Sequence, residues 1–159
     1  MTGPQHLALS SAVGGVLWAV TGHAITVPIA IAAGVLPDVD HALDYYNRYI
    51  RRDWRRIYLL LHGWEYFALA SALYLFVFPE PWMLAVTLGY LMQIGADQAA
   101  NQARWFSYSL LARAVLKFDS RKILPNERRD SYDALVRSVP VFKDRLRSWF
   151  AARSEPRHR

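Results

Sequence analysis

The feature that most limits what this chain can fold into is where its positive charges are absent. Of its 19 Lys and Arg residues, none falls in residues 1–44 and none in residues 57–100. Five Arg (Arg48, Arg51, Arg52, Arg55, Arg56) cluster in residues 45–56, and the other 14 basic residues follow residue 100. A water-soluble helical domain distributes such residues along the outer face of each helix. Two long cation-free stretches call instead for an environment in which cations are excluded.

Those stretches hold four apolar segments, at residues 7–22, 24–36, 57–78 and 82–100. A membrane-crossing helix needs about 20 mostly apolar residues. The third and fourth segments meet that length, the first approaches it, and the second is short unless it continues through PDVDH or thins the bilayer around it. The sequence therefore predicts an all-α fold: a four-helix transmembrane bundle over residues 1–101, followed by a basic, amphipathic tail (102–159) of short cytoplasmic helices punctuated by Pro125 and Pro140. Four crossings put the Arg-rich 45–56 loop and the tail on one side, which the positive-inside rule makes the cytoplasm. The turns TGHAIT and FPEPW carry no Lys or Arg and face outward. The expected location is a cell inner membrane, multi-pass, with both termini cytoplasmic. No basic stretch precedes the first segment, so it does not read as a cleavable signal peptide.

An ionisable residue inside a spanning segment costs about 2.5–3.5 kcal/mol, which makes each one a candidate for function. In the predicted topology they gather at one depth. His6 opens the first helix, Asp38, Asp40 and His41 close the second, His62 and Glu65 begin the third, and Gln93 and Asp97 end the fourth. The i, i+3 pair His62/Glu65 and the i, i+4 series Gln93, Asp97, Asn101 each occupy one helix face. Bundle metal sites are assembled in this way from carboxylate and imidazole groups on facing helices. With no Cys in the chain, the donors are N and O, a set suited to zinc first and also to manganese, iron or magnesium. The acid count would accommodate two ions.

Each residue also has a plainer role available. Asp38 or Asp40 could cap the following helix, His6 could be an ordinary first-turn residue, Asp97 could bond Gln98 or Asn101, and Gln93 could join two helices. Asp44 reads as part of a solvated face. His23, in the outer turn, and His158, at the terminus, lie outside the predicted cluster. Trp18, Trp54, Trp64 and Trp82 fall near segment ends, as interfacial anchors do, and Gly14 and Gly15 are suited to close packing of the first two helices.

"HLALSSAVGG", "LPDVDH", "LLLHGWE" and "LGYLMQIGAD", in this order over roughly residues 5–101, resemble the inner-membrane metal-dependent hydrolases of the LexA-binding family. That resemblance implies a metal-dependent hydrolase, with His6, Asp38, Asp40, His41, His62 and Asp97 at the family's ligand positions. Members of the family often carry His where this chain has Gln93, and an HRxxTH-like element where it has HGWE.

The expectation from the sequence is thus a membrane-bound, metal-dependent hydrolase working at the cytoplasmic face on a phosphoester or ester, a lipid among the candidates. His6, Asp38, Asp40, His41, His62, Glu65, Gln93 and Asp97 would form the metal set, with Glu65 or Asp97 as proton acceptor. The alternative is a non-catalytic membrane scaffold with a structural metal or polar core and a partner-binding tail. Membrane lipid accounts for the basic tail more simply than nucleic acid does, because positive-inside charge is already required.

Overall fold

The computed structural model describes residues 2–101, 104–123, 132, 135, 136, 139 and 141–154. Pro125, Pro140 and His158 lie outside the described residues. Among those described, the chain is helical and no strand forms.

Helix α1 (Gly3–Thr21) starts where Thr2 and Gln5 form a reciprocal capping box, and it stops at Gly22, whose φ of 74° suits a residue without a Cβ. Helix α2 (Thr26–Val35) runs directly into a 3-10 turn at Leu36–Asp40, then into α3 (His41–Tyr45) and a π-helical turn at Tyr46–Ile50. Pro37 accounts for the tightened stretch, since its ring and missing N–H break the ordinary helical ladder. PDVDH therefore lies within the long helix Thr26–Ile50, so that the second segment continues through it, one of the two alternatives the sequence left open. Helix α4 covers Trp64–Phe76 and α5 covers Pro81–Ala100, the latter with proline at its first position. The tail contributes α6 (Leu110–Val115), α7 (Ser120–Ile123) and α8 (Lys143–Ala151).

Helices α1, α2 and α5 form the centre, around Leu17, Ala30 and Ala85. Two glycines set how closely they approach: a Cβ at Gly14 would fall 2.7 Å from the Val27 Cα, and one at Gly89 would fall 2.9 Å from the Ala30 Cα. Gly15, expected to act with Gly14, faces open space.

Among the described residues one helix, Thr26–Ile50, is long and apolar enough to cross a membrane. The expected third span shows why four crossings do not follow from composition. Residues 57–63 are not helical, and α4 has 13 residues, about 20 Å at 1.5 Å per residue. The backbone of the preceding stretch is held by other partners. Ile57 N–H donates to the Phe118 carbonyl, Leu61 N–H to Asp40 Oδ2, and Gly63 N–H to the Tyr90 hydroxyl. Arg113 Nη1 donates to the Leu59 carbonyl.

The tail packs back on the rest of the chain. Ile123 and Leu116 join Ile57 and Leu59, Tyr108 joins Tyr90 and Ile94, and Phe150 and Val136 join Tyr49. Asp44, expected on a solvated face, is buried with its Oδ2 2.9 Å from Arg48 Nε. This i, i+4 pair removes Arg48 from the exposed basic loop.

Candidate metal centre

Asp38 and Asp40, in the 3-10 turn, and His41 directly after it meet residues from the first turn of α1, the last turns of α5 and the stretch before α4. His62 sits at the centre of this convergence, with its side chain fully buried. Its Nδ1 lies 3.0 Å from Asp40 Oδ1. Its Nε2 lies 3.3 Å from Asp38 Oδ1 and 3.4 Å from Asp97 Oδ2. On the far side of Asp97, His6 Nε2 stands 3.1 Å from Oδ1. His41 Nε2 is 3.8 Å from Asp38 Oδ1.

Two overlapping triads result, Asp38/His41/His62 and His6/Asp38/Asp97, each with its ligand atoms within 4.8 Å of one another. Asp38 belongs to both. Four ligands at 2.0–2.1 Å in a tetrahedron stand about 3.3 Å apart, and the pairs 3.1–3.4 Å apart around His62 and Asp97 have that separation. Asp40 holds a different position. Its Oδ1 lies beside the inner ring nitrogen of His62 while Oδ2 accepts the Leu61 N–H at 2.7 Å, which places a carboxylate behind the ring.

Gln93 lies among the same atoms. Its Nε2 donates to Asp38 Oδ1 at 2.7 Å and approaches Asp97 Oδ2 at 3.4 Å and His62 Nε2 at 3.3 Å. Its Oε1 is buried without a hydrogen-bond partner among the described residues. A rotation of the amide exchanges the two atoms, so the oxygen becomes the donor a cation would take. The residues present fit a divalent ion: N and O donors at ligand spacing, with an orphaned buried oxygen beside them.

Electrostatics supports the same assignment. Burial pulls the His62 imidazole pKa down, but hydrogen bonds to Asp38, Asp40 and Asp97 outweigh it and raise the value to about 10. Several carboxylates facing one ring need a positive charge there, and a proton on His62 supplies it when no ion does.

The structure brings together His6, Asp38, Asp40, His41, His62, Gln93 and Asp97 but not Glu65. The Glu65 carboxylate accepts the Ser109 hydroxyl at 2.6 Å and the Leu110 and Leu111 N–H groups at 2.9 and 3.1 Å. It caps α6, whose free N–H groups favour an anion, so the expected ligand and proton-acceptor roles have no geometric basis. The i, i+3 spacing from His62 does not apply because His62 precedes the helix. Asn101, on the predicted face of Asp97, donates to the Tyr108 hydroxyl at 2.6 Å. His23 is exposed in the turn after α1.

Two residues absent from the expected site hold it in place. The Tyr90 hydroxyl donates to the Leu61 carbonyl at 2.7 Å, accepts the Gly63 N–H at 3.0 Å and lies 2.9 Å from the Gly63 carbonyl. It thereby fixes both neighbours of His62. Its signal was available, since Tyr90, Gln93 and Asp97 share a helix face by i, i+3, i+7 spacing. Buried Arg113 joins the Leu59 and Ser107 carbonyls, and nothing in local spacing announces it.

Access is one-sided. His6, Asp40, His62 and Asp97 are buried, whereas the Asp38 and His41 side chains keep 23 % and 40 % of their surface exposed. Comparison of the chain with protein-family models, curated proteins and solved structures finds no match.

Proposed function

We propose that this chain is a membrane-associated, metal-dependent hydrolase whose centre opens at Asp38 and His41. The observation that carries the reading is the sequence of contacts Asp40–His62–Asp38/Asp97: a carboxylate behind the ring, a ring nitrogen facing forward, and further carboxylates in front of it. That arrangement of outer and inner partners is how proteins prepare an imidazole for a metal.

His6, Asp38, His41, His62 and Asp97, with the Gln93 oxygen, would hold one divalent ion, or two that share Asp38. Zinc is the first candidate for such N and O donors. A bound ion supplies polarisation of a phosphoryl or acyl oxygen and an acidified water. Asp38 and His41 stand at the exposed edge, where a substrate would arrive and where one of them could accept a proton. Asp40 and Tyr90 hold His62 still, and the buried side excludes bulk water.

Membrane association draws support from surface composition. Val16, Trp18, Val20, Leu69, Leu75 and Phe76 are all more than half exposed, on helices α1 and α4. Apolar side chains on this scale suit lipid contact. Trp18 and Trp82, near the outer ends of α1 and α5, remain partly exposed as belt residues do. An ester- or phosphoester-linked lipid is the substrate class that such a surface would deliver.

The scaffold alternative has Gln93 in its favour, since its neutral amide already bonds Asp38 and could complete a polar core. A structural metal is enclosed by protein ligands, whereas a catalytic one keeps an open position, and the exposed Asp38/His41 edge favours catalysis. The deciding experiment measures metal content by mass spectrometry and metal-supplemented activity over phosphoester and carboxyl-ester substrates, in the unaltered protein and in His62→Ala and Asp38→Ala. Metal in the unaltered protein that both variants lose, together with turnover, supports the hydrolase. Metal without turnover on any substrate supports the scaffold, and metal content unchanged in both variants removes the site.

A further inference from the structure

Away from the His/Asp cluster, the described residues line an open surface concavity of about 350 Å³, bordered by exposed Arg55, Arg56, Lys117 and Lys122, with Asp119 and Val115 among its other lining residues. The four cations come from two stretches some sixty residues apart in sequence. Backbone pairing fixes them together: Ile57 N–H donates to the Phe118 carbonyl at 3.0 Å, Ser120 N–H to the Arg55 carbonyl at 2.9 Å, and Arg56 and Asp119 form an antiparallel bridge. The turn that places Lys117 is itself unusual. Lys117 and Phe118 both have left-handed φ, 54° and 57°, a conformation costly for residues with a Cβ that persists where surrounding structure enforces it.

Four cations bordering one open concavity repel one another; Arg56 Nη1 donates to the Tyr58 hydroxyl at 3.1 Å, and the lining offers a single carboxylate in return. Asp119 is already engaged, with Oδ1 accepting the Arg121 N–H at 3.0 Å and Oδ2 standing 4.0 Å from Lys122 Nζ. A scattered basic surface would serve general attraction to anionic lipid equally well and would need no cavity. Here Arg and Lys line a concave space at the side of a strained turn, and the 81 %-exposed Val115 adds an apolar rim. Guanidinium and ammonium groups that border one concavity suit the oxygens of a phosphate.

We infer that the cavity between Arg55/Arg56 and Lys117/Lys122 is a binding site for a phosphate group, carried either by an anionic phospholipid headgroup or by a soluble phosphate compound. The site shares no residue with the metal cluster and does not depend on the hydrolase reading.

The test is calorimetric titration of the full chain in an uncharged detergent with two probes, short-chain phosphatidic acid and pyrophosphate. Lys117→Gln/Lys122→Gln removes one wall. Arg145→Gln/Arg147→Gln, on the exposed face of α8, removes the same charge elsewhere. Saturable binding that falls by about tenfold or more in the wall variant and by under about twofold in the α8 variant is the expected result. Binding of phosphatidic acid alone identifies a lipid headgroup, of pyrophosphate alone a soluble phosphate, and of both the phosphate group itself. Arg55→Gln, on the opposite wall, should weaken the same probe, and circular dichroism verifies that each variant keeps its helices. Equal losses in the two double variants, or no saturable binding of either probe, overturns the assignment.

Discussion

The Asp40 carboxylate ties a ring to the backbone beside it: Oδ1 lies 3.0 Å from His62 Nδ1 while Oδ2 accepts the N–H of Leu61, the preceding residue. The two contacts set a carboxylate behind His62 Nδ1, with Nε2 toward Asp38 and Asp97, the placement by which Asp40 would orient the ring. Asp40→Asn keeps the shape but sets an amide N–H against the ring N–H. Metal affinity should fall by about 10–100-fold, as removal of such an outer partner commonly does, with the helical content retained. Competition titration with a chromophoric chelator measures it, and unchanged affinity would show that Asp40 does not orient the ring.

Tyr90 acts on the same stretch from α5. Tyr90→Phe leaves the Gly63 N–H and the Leu61 carbonyl without the hydroxyl that joins them. A buried polar group left unpaired costs about 1–3 kcal/mol. The variant should unfold at lower temperature and also bind metal more weakly, because His62 lies between the released residues. A purely structural tyrosine would lower stability alone, so parallel melting and metal titration separate the two.

Glu65 should show the opposite pattern. Glu65→Ala removes the acceptor for Ser109, Leu110 and Leu111, a loss comparable to that of a helix cap, about 0.5–2 kcal/mol. Metal content should stay at the level of the unaltered protein. Loss of the ion on this substitution would return Glu65 to the metal set.

These cases show what the sequence could and could not reveal. Carboxylates and imidazoles interrupting apolar runs are conspicuous, so His6, Asp38, Asp40, His41, His62, Gln93 and Asp97 could be singled out without coordinates. The division of labour among them was not visible, because it depends on which oxygen of Asp40 meets which nitrogen of His62. Glu65 misled because its partner is the start of a helix 44 residues later. Residues 57–63 look helical from their apolar content, yet Asp40, Tyr90 and Arg113 take up their backbone groups. Tertiary partners of this kind override local propensity and leave no periodic trace.

The tight centre of the fold makes a further demand. A Cβ at Gly89 would fall 2.5 Å from the Ala30 carbonyl oxygen and 2.9 Å from the Ala30 Cα, both backbone atoms that cannot rotate away. Gly89→Ala should therefore force α2 and α5 apart and cost about 1–3 kcal/mol. Gly15→Ala meets nothing and should leave the midpoint unchanged or raise it, through better helix propensity. Thermal unfolding of the two variants side by side checks the difference.

Proton and metal compete for His62, which makes the site sensitive to pH in two opposite ways. The imidazole pKa rises from 6.5 to about 10 on folding without an ion. A raised pKa stabilises the folded state fully below pH 6.5, and that contribution is lost as pH climbs through about 10. The metal-free protein should accordingly lose stability over this window. A divalent ion at Nε2 must displace the proton there, so its affinity should rise over the same window. Adding metal should then raise the unfolding temperature more at pH 9 than at pH 7. Calorimetry in two buffers of different ionisation enthalpy would count the released proton. Metal binding with neither proton release nor pH dependence would place the ion away from His62.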